Sequence, residues 1–135
     1  MFVINKIQHV GIPVTNLELS ARFYKKLGFE NVMSSLFTHK GNEGKVYMIK
    51  SGDIILELYQ MPKEGLIETR ERKNGHIDHI AFDVNNIDEA LEYLKNNAFD
   101  LIEESTVFLP FWTKGCKYFY ITGPDGERLE FNQIL

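Results

Sequence analysis

Two stretches of the chain alternate apolar and other positions with the period of a strand. Val10, Ile12 and Val14 fall on one side, with Ile7, His9, Gly11 and Pro13 on the other; later, Ile80, Phe82 and Val84 separate from Ile77, His79, Ala81 and Asp83. Residues 4–14 and 76–84 are therefore predicted strands. Each precedes a segment whose apolar residues return at helical spacing: Leu17, Ala21, Tyr24 and Leu27 in the first, Ile87, Ala90, Leu91 and Leu94 in the second. Asn16 and Asn86 are placed to cap these helices, Asp88 and Glu89 favour a first turn, and Gly28 suits a helix stop. Strands at about 30–37, 45–50 and 53–60 complete the first unit, and strands at about 100–107, 117–122 and 127–133 the second. Gly52-Asp53 and Asp125-Gly126 mark corresponding tight turns.

The two halves read as copies of one unit. Displaced by 70 positions, Ile7-Gln8-His9-Val10-Gly11-Ile12 falls on Ile77-Asp78-His79-Ile80-Ala81-Phe82, and the match runs without a gap to Phe29 over Phe99. At a displacement of 73, Val46-Tyr47-Met48 falls on Phe119-Tyr120-Ile121, and Leu56-Glu57-Leu58-Tyr59-Gln60 on Leu129-Glu130-Phe131-Asn132-Gln133. Two blocks in the same order with similar offsets indicate a duplication, the second copy carrying three extra residues between the blocks. The predicted class is α+β, built of two βαβββ modules over about 4–61 and 76–135, with a charged linker containing Pro and Gly over about 62–75.

Composition narrows the partners. With 44% hydrophobic and 25% charged residues in 135, the chain is neither collagen-like, nor disordered, nor a disulfide scaffold. A net charge of −4 repels phosphate backbones and argues against nucleic acid. The single cysteine, Cys116, fits a reducing compartment and reads as a half-buried structural thiol. Met1-Phe2-Val3-Ile4-Asn5-Lys6 does not read as a signal peptide, and no apolar run is long enough to span a membrane. The expectation is a soluble, cytoplasmic protein.

Strand parity then isolates four polar residues. In the last strand of each unit, Leu129 and Phe131 separate from Arg128, Glu130 and Asn132, and Ile54, Leu56 and Leu58 separate from Ile55, Glu57 and Tyr59. The apolar face must take the helix, so His9, Glu57, His79 and Glu130 point off the opposite face. Taken singly, each is an ordinary strand residue; it is the recurrence of both types at equivalent positions of a repeat that points to a shared role. A carboxylate near a sheet centre is costly unless paired or bound to a metal. Two imidazoles with two carboxylates suit Ni, Co, Zn, Fe or Mn, leaving two positions of an octahedron for water or substrate oxygens.

Weaker signals lie elsewhere. Phe108, Phe111 and Trp112 form an apolar loop suited to core or dimer packing, or to a pocket wall. Arg70-Glu71-Arg72-Lys73 reads as solvated linker, with cations able to meet a substrate carboxylate or phosphate. His39 and His76 fall off the repeated positions and are not expected to be ligands.

These residues resemble the vicinal oxygen chelate superfamily of glyoxalase I, extradiol dioxygenases, methylmalonyl-CoA epimerase and antibiotic-resistance proteins. The resemblance rests on His9-Val10-Gly11-Ile12-Pro13-Val14, Phe23-Tyr24 before Leu27-Gly28-Phe29, Ile77-Asp78-His79-Ile80-Ala81-Phe82-Asp83-Val84, and Gly123-Pro124-Asp125-Gly126-Glu127-Arg128-Leu129-Glu130-Phe131. It implies paired modules curling into an open barrel, a homodimer, and a divalent ion held by His9, Glu57, His79 and Glu130. The order His, Glu, His, Glu is similar to glyoxalase I (lactoylglutathione lyase), with Ni or Co favoured and Zn, Mn or Fe admissible. That kinship implies a lyase or isomerase converting a 2-oxoaldehyde–thiol hemithioacetal to a 2-hydroxyacyl thioester through an enediolate. Glu130 is the better base by resemblance, with Glu57 as its counterpart. The alternatives are an epimerase, isomerase or extradiol dioxygenase of the same superfamily, or a non-catalytic protein that binds a drug or metabolite.

Overall fold

The computed structural model describes residues 9–72, 79–110 and 113–135. The chain divides into two compact units, Met1–Arg72 and Lys73–Leu135. The first runs β1 (Val10–Pro13), α1 (Leu17–Lys26), β2 (Glu30–His39), β3 (Asn42–Ser51), β4 (Ile54–Gln60) and α2 (Lys63–Glu71). The second runs β5 (Ile80–Asp83), α3 (Ile87–Asn96), β6 (Asp100–Leu101), β7 (Val107–Leu109), β8 (Cys116–Thr122) and β9 (Arg128–Ile134). The class is α+β, as expected from the sequence. The first unit holds a four-stranded sheet in the order β1-β4-β3-β2; the second holds β5-β9-β8, with β6 and β7 both pairing the far edge of β8. In each unit the first strand lies parallel to the last, and the remaining pairs are antiparallel. Neither sheet closes into a barrel. No helix among the described residues is long and apolar enough to cross a membrane.

One device starts the main helix of both units. The Asn16 side chain accepts from Leu19 N at 3.0 Å and that of Asn86 from Glu89 N at 3.1 Å, as their cap positions predict. A second orphan N–H in each helix is met from the last strand: Leu17 N donates to Gln60 Oε1 and Ile87 N to Gln133 Oε1, both at 2.9 Å. The repeated spacing from Glu57 to Gln60 and from Glu130 to Gln133 thus ties each helix start to the strand that carries the glutamate.

The helices cover the apolar faces. Leu17, Tyr24, Leu56 and Leu58 are buried in the first unit, and Phe82, Ile87, Leu94, Phe119, Ile121, Leu129 and Phe131 in the second. Ser20 is fully buried with a hydroxyl that meets no hydrogen-bond partner among the described residues, where the second copy has Ala90.

The structure departs from the sequence reading in three places. The segment read as linker contains α2, begun by Pro62 and locked near its end by Arg72 on Glu68 at 2.7 Å. The strand expected over about 100–107 is broken into β6 and β7. At the break the Glu103 carboxylate replaces the backbone as partner, accepting from Tyr120 N at 2.7 Å.

The third departure is a matter of register. Met48 pairs with Glu57 in the first sheet, and Tyr120 pairs with Glu130 in the second. Met48, not Tyr47, is therefore the counterpart of Tyr120, and the displacement between β3 and β8 is 72 rather than 73. The buried pair Ile49 and Ile121 obeys the same displacement. One of the three extra residues lies in the turn after β8, where Pro124-Asp125-Gly126 replaces Gly52-Asp53; the other two precede β8. A one-residue slip exchanges the two faces of a strand, so the correction decides which side chain stands beside each glutamate.

Candidate metal centre

Each unit brings one predicted histidine against one predicted glutamate. Gly11 on β1 is in register with Glu57 on β4, and Ala81 on β5 with Glu130 on β9. The histidine two residues earlier, on the same face, meets the carboxylate across the parallel pair. His9 Nε2 lies 3.7 Å from Glu57 Oε2, and His79 Nε2 lies 3.1 Å from Glu130 Oε2. The same donor pair, one imidazole nitrogen and one carboxylate, is thus built twice. Among the described residues no group of three or more His, Cys, Asp or Glu side chains gathers. Each pair stands as two donors.

The pairs differ in their surroundings. The side chain of Glu57 is 28% exposed, that of Glu130 only 9%. Tyr120, directly across the ladder, donates its hydroxyl to Glu130 Oε2 at 3.0 Å, and Asn132 Nδ2 donates to Oε1 at 2.7 Å. The Tyr120 ring meets the His79 ring edge-to-face at 5.3 Å, and the Arg128 guanidinium lies 4.6 Å from its centroid. Burial pushes the Tyr120 phenol up to about 12, and its hydrogen bond to Glu130 adds to the rise. The phenol therefore keeps its proton at neutral pH and donates it to the carboxylate. In the first unit the corresponding positions hold Met48 and Tyr59.

Beside the first pair, His9, Val32, Met33, Met48 and Ile55 line an open hollow of about 270 Å³. Four of its five walls are apolar.

Other predicted features fall away from the pairs. His39 lines a separate cleft with Lys40 and the start of α2. Arg72 is committed to Glu68 through two bonds of 2.7 Å. Cys116 is fully buried, with Asn132 Nδ2 3.8 Å from its sulfur. Phe108 is exposed on β7. His76, Phe111, Trp112 and Lys73 lie outside the described residues.

Tyr120 and Asn132 were not singled out by sequence reasoning, although strand parity carries the signal. Tyr118 and Tyr120 alternate with the buried Phe119 and Ile121, which puts both tyrosines on the glutamate face.

Known proteins share this chain's sequence pattern and fold. The chain is 32% identical over 134 residues to the uncharacterized protein YwbC of Bacillus subtilis (strain 168), covering 95% of this chain and 97% of that protein. It is 25% identical over 131 residues to the uncharacterized protein YaeR of Escherichia coli (strain K12), covering 96% and 97%. In fold it is similar to the crystal structure of the glyoxalase family protein from Enterococcus faecalis, with a TM-score of 0.72 at 24% identity over 95% of this chain and 97% of that one. Residues 6–131, a span that includes both histidine–glutamate pairs, match the Glyoxalase/Bleomycin resistance protein/Dioxygenase superfamily, and the chain belongs to it.

Proposed function

We propose that this protein is a divalent-metal enzyme of the glyoxalase I kind, isomerising the hemithioacetal of a 2-oxoaldehyde and a thiol to a 2-hydroxyacyl thioester. Members of the superfamily commonly bind divalent metals and small molecules and often form dimers, and many are enzymes. The observation that carries the reading is the duplicated pair: His9 with Glu57 and His79 with Glu130, each with Nε2 facing a carboxylate.

The donor chemistry fits a divalent ion. Two imidazole nitrogens and two carboxylates suit Ni or Co, with Zn, Mn and Fe also accommodated. On this reading all four residues serve a single ion, supplied by one chain or by two copies in a homodimer. When bound, the ion supplies a Lewis acid that polarises vicinal substrate oxygens. The histidines hold their orientation, and a glutamate carboxylate takes a proton from the carbon bearing sulfur and returns it to the neighbouring carbonyl carbon. As the carbon-bound proton crosses, the hydroxyl proton passes from the oxygen beside sulfur to the neighbouring oxygen, so atoms balance within the substrate and no external oxidant or reductant enters. The apolar hollow beside His9 suits the substrate's carbon substituent.

Methylglyoxal offered with several thiols to nickel-, cobalt- and zinc-loaded protein tests this reading. Thioester absorbance is expected to rise for at least one combination and to stop on adding chelator. No thioester under any combination overturns the glyoxalase assignment and favours another superfamily substrate or a non-catalytic binder.

A further inference from the structure

One edge of the first sheet is built to pair. We propose that β2 is a self-complementary docking strand, by which two copies of this chain join their first units edge to edge into one continuous antiparallel sheet. The inference goes beyond the metal-enzyme reading and stands or falls without it.

An open sheet edge presents unpaired N–H and C=O groups, and proteins blunt it with short strands, irregularity, Pro or Lys. The second unit obeys. Its edge is cut into β6 and β7, of two and three residues, and the Glu103 carboxylate takes the Tyr120 N–H at the break. In the first unit β2 occupies the edge and, among the described residues, pairs with β3 alone. It runs ten residues, and over residues 31–38 it carries neither Asp, Glu, Lys or Arg nor proline. Its register shift falls near one end, between Asn31 and Met33, so residues 33–39 form a regular ladder. Val32, Met33 and Leu36 are 57%, 41% and 55% exposed. An edge strand this long and this apolar is a template for an added strand.

The turn after β2 fixes which groups face out. Lys40 and Gly41 both have positive φ, 49° and 76°, as in the two-residue hairpin turn whose flanking pair, here His39 and Asn42, exchanges both backbone bonds. Counting back, Phe37, Ser35 and Met33 bond to β3, while Thr38, Leu36 and Ser34 turn their N–H and C=O groups to the open edge. A twofold axis through Ser35, perpendicular to the sheet, sets each Ser34 opposite the partner's Leu36, so the outward groups meet each other. It also sets Met33 opposite the partner's Phe37, apolar on apolar. Charge selects this register. The same axis brings Glu30 toward the partner's Lys40, and does so twice; an axis at Ser34 would set Glu30 against Thr38 and Lys40 against Gly28. Met33 lies on the face that carries His9 and lines the apolar hollow there, so the second copy adds an aromatic wall beside it.

The test is made on the full chain by sedimentation equilibrium, and the wild type should be a dimer. Ser35→Cys puts the new thiol opposite its copy in a non-hydrogen-bonded pair, with Cα atoms about 4.5 Å apart, inside the range a disulfide spans. Mild oxidation should therefore link most of it into a covalent dimer, whereas the wild type, whose Cys116 is fully buried, should stay unlinked. Leu36→Pro removes an outward N–H and none that bonds to β3, so it should abolish the dimer while circular dichroism stays that of a folded chain. Glu30→Lys and Lys40→Glu should each raise the dimer's Kd by at least about tenfold, and the two together should restore it. If Leu36→Pro unfolds the chain, the charge exchange and the cross-link decide. A monomeric wild type overturns the proposal. So does a dimer that leaves Ser35→Cys unlinked and ignores both charge reversals, which would put the contact on another face. Cross-linking of Ser34→Cys in place of Ser35→Cys overturns the register. Metal content is measured separately on each variant, so failure of the docking strand is distinguishable from failure of the metal-enzyme reading.

Discussion

Replacing His79 with Ala is expected to lower divalent-metal affinity by more than about 100-fold, beyond the 10–100-fold that follows loss of an outer partner, while the metal-free protein still folds. The two effects separate because the imidazole contributes little to packing. Its side chain is 35% exposed just before β5, and its ring approaches Tyr120 edge-to-face at 5.3 Å. An aromatic pair of this kind is worth about 0.5–1.5 kcal/mol. Glu130 keeps its bonds to Tyr120 and Asn132 in the variant, so no buried charge is left unpaired. Titration of the metal-free variant with cobalt, beside a thermal melt, checks both halves. Undiminished affinity would remove His79 from the ligand set.

The opposite pattern is expected on the other face of the same sheet. Phe119 is fully buried on β8, stacked on Phe131 with ring centroids 5.2 Å apart and planes at 11°. Phe131 in turn meets Phe82 at 5.7 Å, so the three rings span β8, β9 and β5 beneath α3. Phe119→Ala should cost about 3–5 kcal/mol from lost transfer energy and the cavity left behind. Against a total stability of about 5–15 kcal/mol for a domain, that is a large share. Urea unfolding followed by circular dichroism should show a much lower midpoint, with metal affinity in the folded fraction unchanged. A loss below about 1 kcal/mol would mean that this face is not the core of the second unit.

The contrast between Phe119 and Tyr120 also shows where the sequence was legible. Period-two alternation placed β1, β4, β5 and β9, and the Asn16 and Asn86 caps placed α1 and α3, because these signals are local. The face carrying His9, Glu57, His79 and Glu130 followed from the same alternation. What escaped depends on partners distant in the chain. The displacement of β3 against β8 differs by one residue from the sequence match, because Tyr47 and Tyr120 align in sequence while the extra residue in the turn at Pro124-Asp125-Gly126 stays hidden. Tyr47 in fact turns to Glu18 on α1, while Tyr120 turns to Glu130. The break between β6 and β7 rests on a side chain, Glu103, replacing a backbone acceptor, which no propensity foretells. Helix α2 was hidden by Pro62 and Gly65, residues that mark a linker as readily as a helix start.

If the two histidine–glutamate pairs serve one ion, as proposed, the metal content of the protein follows. Each pair supplies two donors, so four donors per chain should correspond to one metal per chain, whether the ligands come from a single copy or from two. The direct measurement is the metal-to-chain ratio of protein prepared without chelator, saturated with cobalt or nickel and freed of excess ion. The predicted result is a ratio of one, falling to near zero in both His9→Ala and His79→Ala. A ratio of two, with each variant retaining one ion, or no retained metal in the wild type, would contradict a single shared ion.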